Sequence, residues 1–357
     1  MQNQVVEEKP ASNERIDYID FLRVIALCMA VTIHVSAFFL DDATVGSKNW
    51  MVAHFFDTLS RPAVPVFIMV SGLLQLSSDQ ALSLIIFLKK RSFRVIFPLF
   101  SWSVIYVFWS SINTHEVINL KAFLLNILSG NVYYHLYFLY MIFGLYLLTP
   151  LLKVFIAQAK KQDFLYAIGL WILAVSVFSL LKKFWGIRFY YLLIPITGYI
   201  GYYLAGYFLS TIPLVKNSFL LIIWMIANLA TFLGTWVISN KTGELDEFFY
   251  GYTSLTVIAS AFTLFIYIKQ LDVSGFYTRF PNLKKFISLA ASTSFSVYLI
   301  HLIILEMLYV GTLGITIDSN TFNPIIGIPL IVAIVSIFSG LIVLTLRRIP
   351  IIRWFFP

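Results

Sequence analysis

The chain has 357 residues, 60% of them hydrophobic and only 12% charged, with a mean hydropathy of +0.87 and a net charge of +8. A soluble domain carries about 25% charge, so this inventory cannot build a water-facing surface. The basic residues are spread through short loops rather than gathered on one face, which argues against nucleic acid as the partner, and the single cysteine, Cys28, can form no intramolecular disulfide.

Residues 1–16 are polar and carry both signs of charge, without the apolar run and small-residue cleavage site of a signal peptide, and are expected to be a cytosolic tail. Residues 17–357 read as one membrane domain. Ten apolar segments have about the length a helix needs to cross a bilayer: 19–40, 54–75, 95–112, 134–156, 164–181, 189–210, 218–238, 251–268, 287–309 and 324–346. The expected fold is therefore an all-α polytopic membrane protein, since a closed barrel would show short alternating segments. Placing both termini in the cytoplasm puts 18 of the 25 Lys and Arg residues inside, six outside and Arg61 within the membrane, as the loop-charge rule requires. Residues 77–96 are apolar on one side and carry Lys89, Lys90, Arg91 and Arg94, which suggests an interfacial amphipathic helix. Residues 113–133 have similar character. Cys28 is expected to be a packing residue.

Ionisable groups inside a span are costly, and each is a functional-site hypothesis. Arg23 and His34 stand 11 residues apart in the first span. Eleven steps of about 100° end roughly 20° past three full turns, so both side chains leave one helix face, roughly 16 Å apart along the axis. Asp20, one turn before Arg23, can orient it. The bland alternative is that Arg23 snorkels to the interface and His34 makes one interhelical hydrogen bond. In the second span Ser60-Arg61-Pro62 and Pro65 interrupt an apolar run, where freed backbone groups need a neighbour or a cavity, so Arg61 is expected to face a cavity. Ser71 and Gly72 follow, and small residues there also suit close helix packing. Arg91 and Arg94, spaced i, i+3, suit phosphate through their guanidinium forks; anchoring to anionic lipid is the rival reading. His135 sits among tyrosines at the start of the fourth span, and Tyr298 and His301 stand one turn apart in the ninth, with Glu306 beyond.

In order, IDFLRVIALCMAVTIH, SRPAVPVFIMVSG, KKRSFRVIFP, YYHLYFLYMIFGLYLLTPLL and SFSVYLIH resemble the acyltransferase family 3 membrane enzymes over nearly the whole chain. Arg23 and His34 match the family's first-span arginine and histidine, Arg91 and Arg94 its cytosolic Arg-x-x-Arg, and Phe67 to Gly72 its Phe-x-x-Ser-Gly motif with one residue more between Phe and Ser. The resemblance implies acetyl-CoA as acyl donor and a hydroxyl of an envelope glycan, or of its lipid-linked precursor, as acceptor, in a bacterial cytoplasmic membrane. On that reading His34 is a general base or handles the acyl group, Arg23 and Arg61 stabilise charge, and Arg91 and Arg94 hold CoA. The chain resembles the standalone subgroup, so no second, hydrolase-like domain is expected after the last span. No metal is expected: His34, His54, His135 and His301 lie on different spans, and no His/Glu pair shows zinc spacing. The rival from another class is a transporter or flippase for a lipid-linked saccharide, which needs no CoA.

Overall fold

In the computed structural model, residues 17–78, 84–114, 119–187, 198–312, 314 and 316–357 are described. The expected tail 1–16, His115 and most of the first half of the expected span 189–210 lie outside them. The described residues form an all-helical, multi-pass membrane fold. The helices are α1 (Asp17–Asp42), α2 (Lys48–Ser60), α3 (Ala63–Leu76), α4 (Leu84–Thr114), α5 (Leu120–Ser129), α6 (Tyr137–Gln158), α7 (Lys161–Ile172), α8 (Phe178–Trp185), α9 (Ile200–Thr211), α10 (Asn217–Thr242), α11 (Leu255–Gln270), α12 (Val273–Arg279), α13 (Pro281–Val310) and α14 (Pro324–Leu346). Eight segments are long and apolar enough to cross a membrane, among them Lys48–Leu76 and Lys161–Trp185 as composites. The other two expected spans coincide with the shorter helices α9 and α11.

Helix α1 is the axis of the fold, packed against α2, α3, α13 and α14. Its apolar residues Leu22, Ala26, Ala30, Val31 and Val35 are buried, whereas Cys28 is exposed. Cys28 therefore does not pack in the core as expected; it points away from the neighbours of α1, toward the lipid a membrane would supply. Helices α3 and α9 touch backbone to backbone. A Cβ on Gly72 would stand 2.0 Å from the Tyr203 carbonyl oxygen, and one on Gly206 1.9 Å from that of Met69, so both positions require glycine.

Three expectations are revised. The second span is not one helix: the chain breaks at Arg61-Pro62 between α2 and α3, because Pro62 and Pro65 cannot donate to the helix ladder. The described part of the amphipathic segment, from Leu84, does not lie apart from the third span. It runs straight into it as the 31-residue helix α4, whose polar first turns stand beyond the apolar part of the same rod. The expected span 251–268 becomes helical only at Leu255, where Ser254 caps α11 through the Val257 amide. Residues 247–254 form turns that dip between helices. They are pinned by Tyr202, which donates to the Tyr252 carbonyl (2.6 Å), and by Ser176, which donates to that of Thr253 (2.5 Å) from the π-helical turn Leu173–Val177 joining α7 to α8.

Candidate active site

Two polar assemblies lie within the bundle. The first begins at a cavity of about 310 Å³ between α1, α3, α4, α6 and α13. Arg23, Arg91 and Arg94 line it, so the i, i+3 spacing of the last two delivers both to one wall. The Arg91 Nε is buried without a hydrogen-bond partner. Among the described residues no Asp or Glu side chain lines the cavity, and guanidinium groups without a carboxylate beside them are the chemistry that suits an anion. Its remaining walls are mainly apolar, with Ser71 from α3 hydrogen-bonded to the Tyr146 hydroxyl (3.2 Å). Gly72 faces the α9 backbone instead.

Phe67, Phe138 and Tyr298 also line the cavity and pack as an aromatic triangle, with ring centroids 6.1, 6.4 and 5.4 Å apart. Behind Tyr298 stand the histidines. The Tyr298 ring is 5.5 Å from both His135 and His301, His301 is 5.1 Å from His34, and His135 is 5.8 Å from His301. Three histidines on different segments therefore form one cluster, because α1 and α13 pack face to face and the 3₁₀ turn Tyr134–Leu136 leads into α6 against them. No group of His, Cys, Asp or Glu suited to a metal ion occurs among the described residues. The Tyr298 hydroxyl donates to the His135 carbonyl (2.8 Å), locking that turn onto α13. His301 Nδ1 lies 2.6 Å from the Tyr298 carbonyl oxygen, which can only accept. The proton is therefore on Nδ1, and Nε2 presents a lone pair that is buried and without a partner. On the far side from the cavity, Tyr134 is exposed and its ring is 5.4 Å from His34. Glu306 accepts hydrogen bonds from Trp109 (2.6 Å) and Tyr133, fastening α4 and the 3₁₀ turn to α13.

The second assembly surrounds Arg61. Expected to face a cavity, Arg61 does not line the one described above; it pairs with Asp57 one turn earlier (2.5 Å), and its guanidinium lies 3.7 Å from the centre of the Tyr250 ring. Tyr250 in turn hydrogen-bonds His54, whose Nε2 donates to the Phe232 carbonyl (2.9 Å). An ion pair buried beside a helix break satisfies the arginine locally, which is why it does not reach into the cavity. Asp20 is buried on α1 and does not line the cavity. Residue-by-residue reading missed Asp57 and Tyr250. Asp57 carried a usable signal, an acid one turn from Arg61; Tyr250 stands one residue before the segment that the apolar pattern assigned as a span, 251–268.

The site is therefore an arginine-lined cavity within a helical membrane bundle, closed by Tyr298 with a histidine cluster behind it. Residues 16–344 match the acyltransferase family 3 model, described as an acyltransferase domain, and the chain belongs to that family. It is a membrane acyltransferase. No curated protein and no solved structure matches it.

Proposed function

We propose that this protein transfers an acetyl group from acetyl-CoA, entering from the cytosolic side, to a hydroxyl of an envelope glycan or its lipid-linked precursor in a bacterial cytoplasmic membrane. The observation that carries this reading is the continuity from Arg91 and Arg94, through the cavity, to Tyr298 and the His301–His34 pair. Phosphates belong with the arginines at the mouth, and the thioester belongs at the aromatic end wall, whose three rings leave room for a short acyl group. SRPAVPVFIMVSG and YYHLYFL resemble segments of the standalone O-acetyltransferase of enterobacterial common antigen, which favours a glycan acceptor. The acceptor approaches past the exposed Tyr134, beside His34.

In the transfer step the thioester passes the Tyr298 ring to the histidine cluster, and His34 takes the proton from the acceptor hydroxyl as its oxygen attacks the thioester carbonyl carbon. The carbonyl π bond opens to an oxyanion, which re-forms it as the C–S bond breaks. His34 then returns the proton to the leaving thiolate, giving the ester and free CoA, with no net proton released. His301 Nε2 accepts a hydrogen bond and orients the acceptor hydroxyl or His34. Arg23 and Arg91 hold the donor, and Arg61, paired with Asp57 and seated on Tyr250, braces the bundle beside the site rather than acting on the reacting groups.

The test is acetyl-CoA binding and slow hydrolysis by protein purified in nanodiscs. His34→Ala is expected to lower turnover by about 10²–10⁴, and Arg91→Ala/Arg94→Ala to abolish saturable binding. Wild-type turnover by folded His34→Ala sinks the mechanism. Movement of a lipid-linked saccharide by wild type without any CoA binding replaces it with a transporter.

A further inference from the structure

Beyond Arg94 the basic wall continues into a second recess of about 610 Å³, lined by Phe93, Phe97, Arg347, Arg353 and Trp354 among others. Arg94 and Pro357 line both this recess and the first cavity, so the two are adjoining compartments. Three arginines and no Asp or Glu side chain border it. Arg347 is spent on construction: it donates to the carbonyls of Phe356 (2.8 Å) and Ser292 (3.0 Å) and to the Ser296 hydroxyl (3.0 Å), folding the last residues back against α13. Trp102 helps by donating to the Phe355 carbonyl (2.8 Å). That fold holds Arg353 and Trp354 at the recess, the guanidinium 5.8 Å from the indole ring and both side chains exposed. Phe93, 52% exposed, meets Trp354 edge-to-face at 6.2 Å and stacks on Phe97 at 5.6 Å.

We propose that this recess is the adenine-nucleotide subsite of the donor, with Arg94 and Arg353 on phosphate oxygens and Trp354 and Phe93 against the purine. The proposal rests on the reading of the first cavity as the thioester and pantetheine site. CoA is a linear molecule whose acyl and nucleotide ends are joined by the pantetheine arm. If the acyl end lies against Phe67, Phe138 and Tyr298, the arm must leave at the arginine mouth, and the compartment that Arg94 shares is the one it enters. Guanidinium forks beside open aromatic rings are the complement of a phosphorylated purine. The same chemistry also fits an anionic phospholipid headgroup packed against interfacial Trp354, so the test separates the two.

The experiment titrates CoA, adenosine 3′,5′-bisphosphate and acetylpantetheine onto wild type, Arg353→Ala, Trp354→Ala and Trp354→Phe, in nanodiscs of phosphatidylcholine alone and with added phosphatidylglycerol. Loss of base stacking is worth about fivefold or more in affinity. The expected result is that Arg353→Ala and Trp354→Ala each lower the CoA-to-acetylpantetheine affinity ratio by about that factor in both kinds of disc. Adenosine 3′,5′-bisphosphate should weaken in parallel, and Trp354→Phe should recover most of the loss. An unchanged ratio overturns the proposal, as does a parallel loss for acetylpantetheine, which would make the segment a structural prop. An effect confined to phosphatidylglycerol discs assigns the recess to a lipid headgroup. Acetylpantetheine bound by a wild type that gains nothing from the nucleotide refutes the subsite and leaves the donor cavity standing; failure of wild type to bind either CoA or acetylpantetheine removes both.

Discussion

Arg61 is the residue whose role the structure changes most, and its removal gives a sharp test. Asp57 is 1% exposed and Arg61 9%, so Arg61→Ala leaves a buried carboxylate whose other oxygen, Oδ1, already has no partner. Breaking a buried pair by deleting one member costs about 3–5 kcal/mol, whereas exchanging both for apolar residues of similar volume is often neutral or better. Arg61 also loses its place on the Tyr250 ring, a contact worth roughly 2 kcal/mol when desolvated. The expected pattern is that Arg61→Ala and Asp57→Ala each destabilise severely, while Asp57→Leu/Arg61→Met loses far less than the sum of the two. The assay is a double-mutant cycle on unfolding in mixed micelles, with acetyl-CoA turnover measured on the folded fraction. If Arg61→Ala unfolds like wild type and yet loses turnover by orders of magnitude, the arginine acts on the reacting groups and its pairing with Asp57 is incidental.

Gly72→Ala puts a methyl 2.0 Å from the Tyr203 carbonyl oxygen, and forcing α3 from α9 is expected to cost at least the 1–3 kcal/mol typical of overpacking, read as a lower folded yield and melting midpoint. Phe138→Ala opens the end wall of the cavity, so relative turnover of butyryl-CoA over acetyl-CoA should rise by about tenfold or more, the scale on which pockets sense a methylene; an unchanged chain-length profile would show that the acyl group lies elsewhere. Tyr298→Phe removes the hydroxyl that holds the His135 carbonyl, and should lower turnover with a smaller change in KM for acetyl-CoA, because the cavity wall keeps its ring.

Much of the fold was legible because apolar runs of bilayer length are a direct physical demand, and each of the ten expected segments is helical over most of its described residues, the break at Arg61-Pro62 and the turns before Leu255 being the departures. The i, i+3 pair Arg91 and Arg94 was legible for the same reason: helical periodicity is local, and both side chains reach the cavity. What periodicity cannot carry is which helices adjoin. His34 and His301 are 267 positions apart, and only the packing of α1 against α13 makes them neighbours. Nor could spacing reveal that Tyr298 stands between the cavity and the histidines, so that Arg23 and His34, although on one face of α1, serve different compartments. The Phe93–Trp354 recess was hidden because it joins the first turns of α4 to the last residues of the chain, each of which alone reads as an interfacial anchor.

The two polar assemblies spend their interactions differently, and this separates a structural group from a working one. Around Arg61 the charge is paired, the ring stacked and His54 bonded at both nitrogens, so the atoms left over, Arg61 Nε and Asp57 Oδ1, belong to an ion pair that is already made. Around His301 the tautomer is fixed by the Tyr298 carbonyl and Nε2 is left orphaned. An orphaned buried acceptor costs about 1–3 kcal/mol, recovered only when a donor arrives, as an acceptor hydroxyl would on entering beside His34. His301→Leu removes that orphan together with one bond to a carbonyl inside α13, so stability should stay within about 1 kcal/mol of wild type or rise while turnover falls by at least tenfold. Arg61 variants should show the reverse, with lost stability and turnover preserved in the molecules that remain folded. Unfolding and single-turnover measurements on the same preparations decide the matter. A His301→Leu protein that is both destabilised and active would make His301 part of the scaffold and leave His34 without a partner for the hydroxyl.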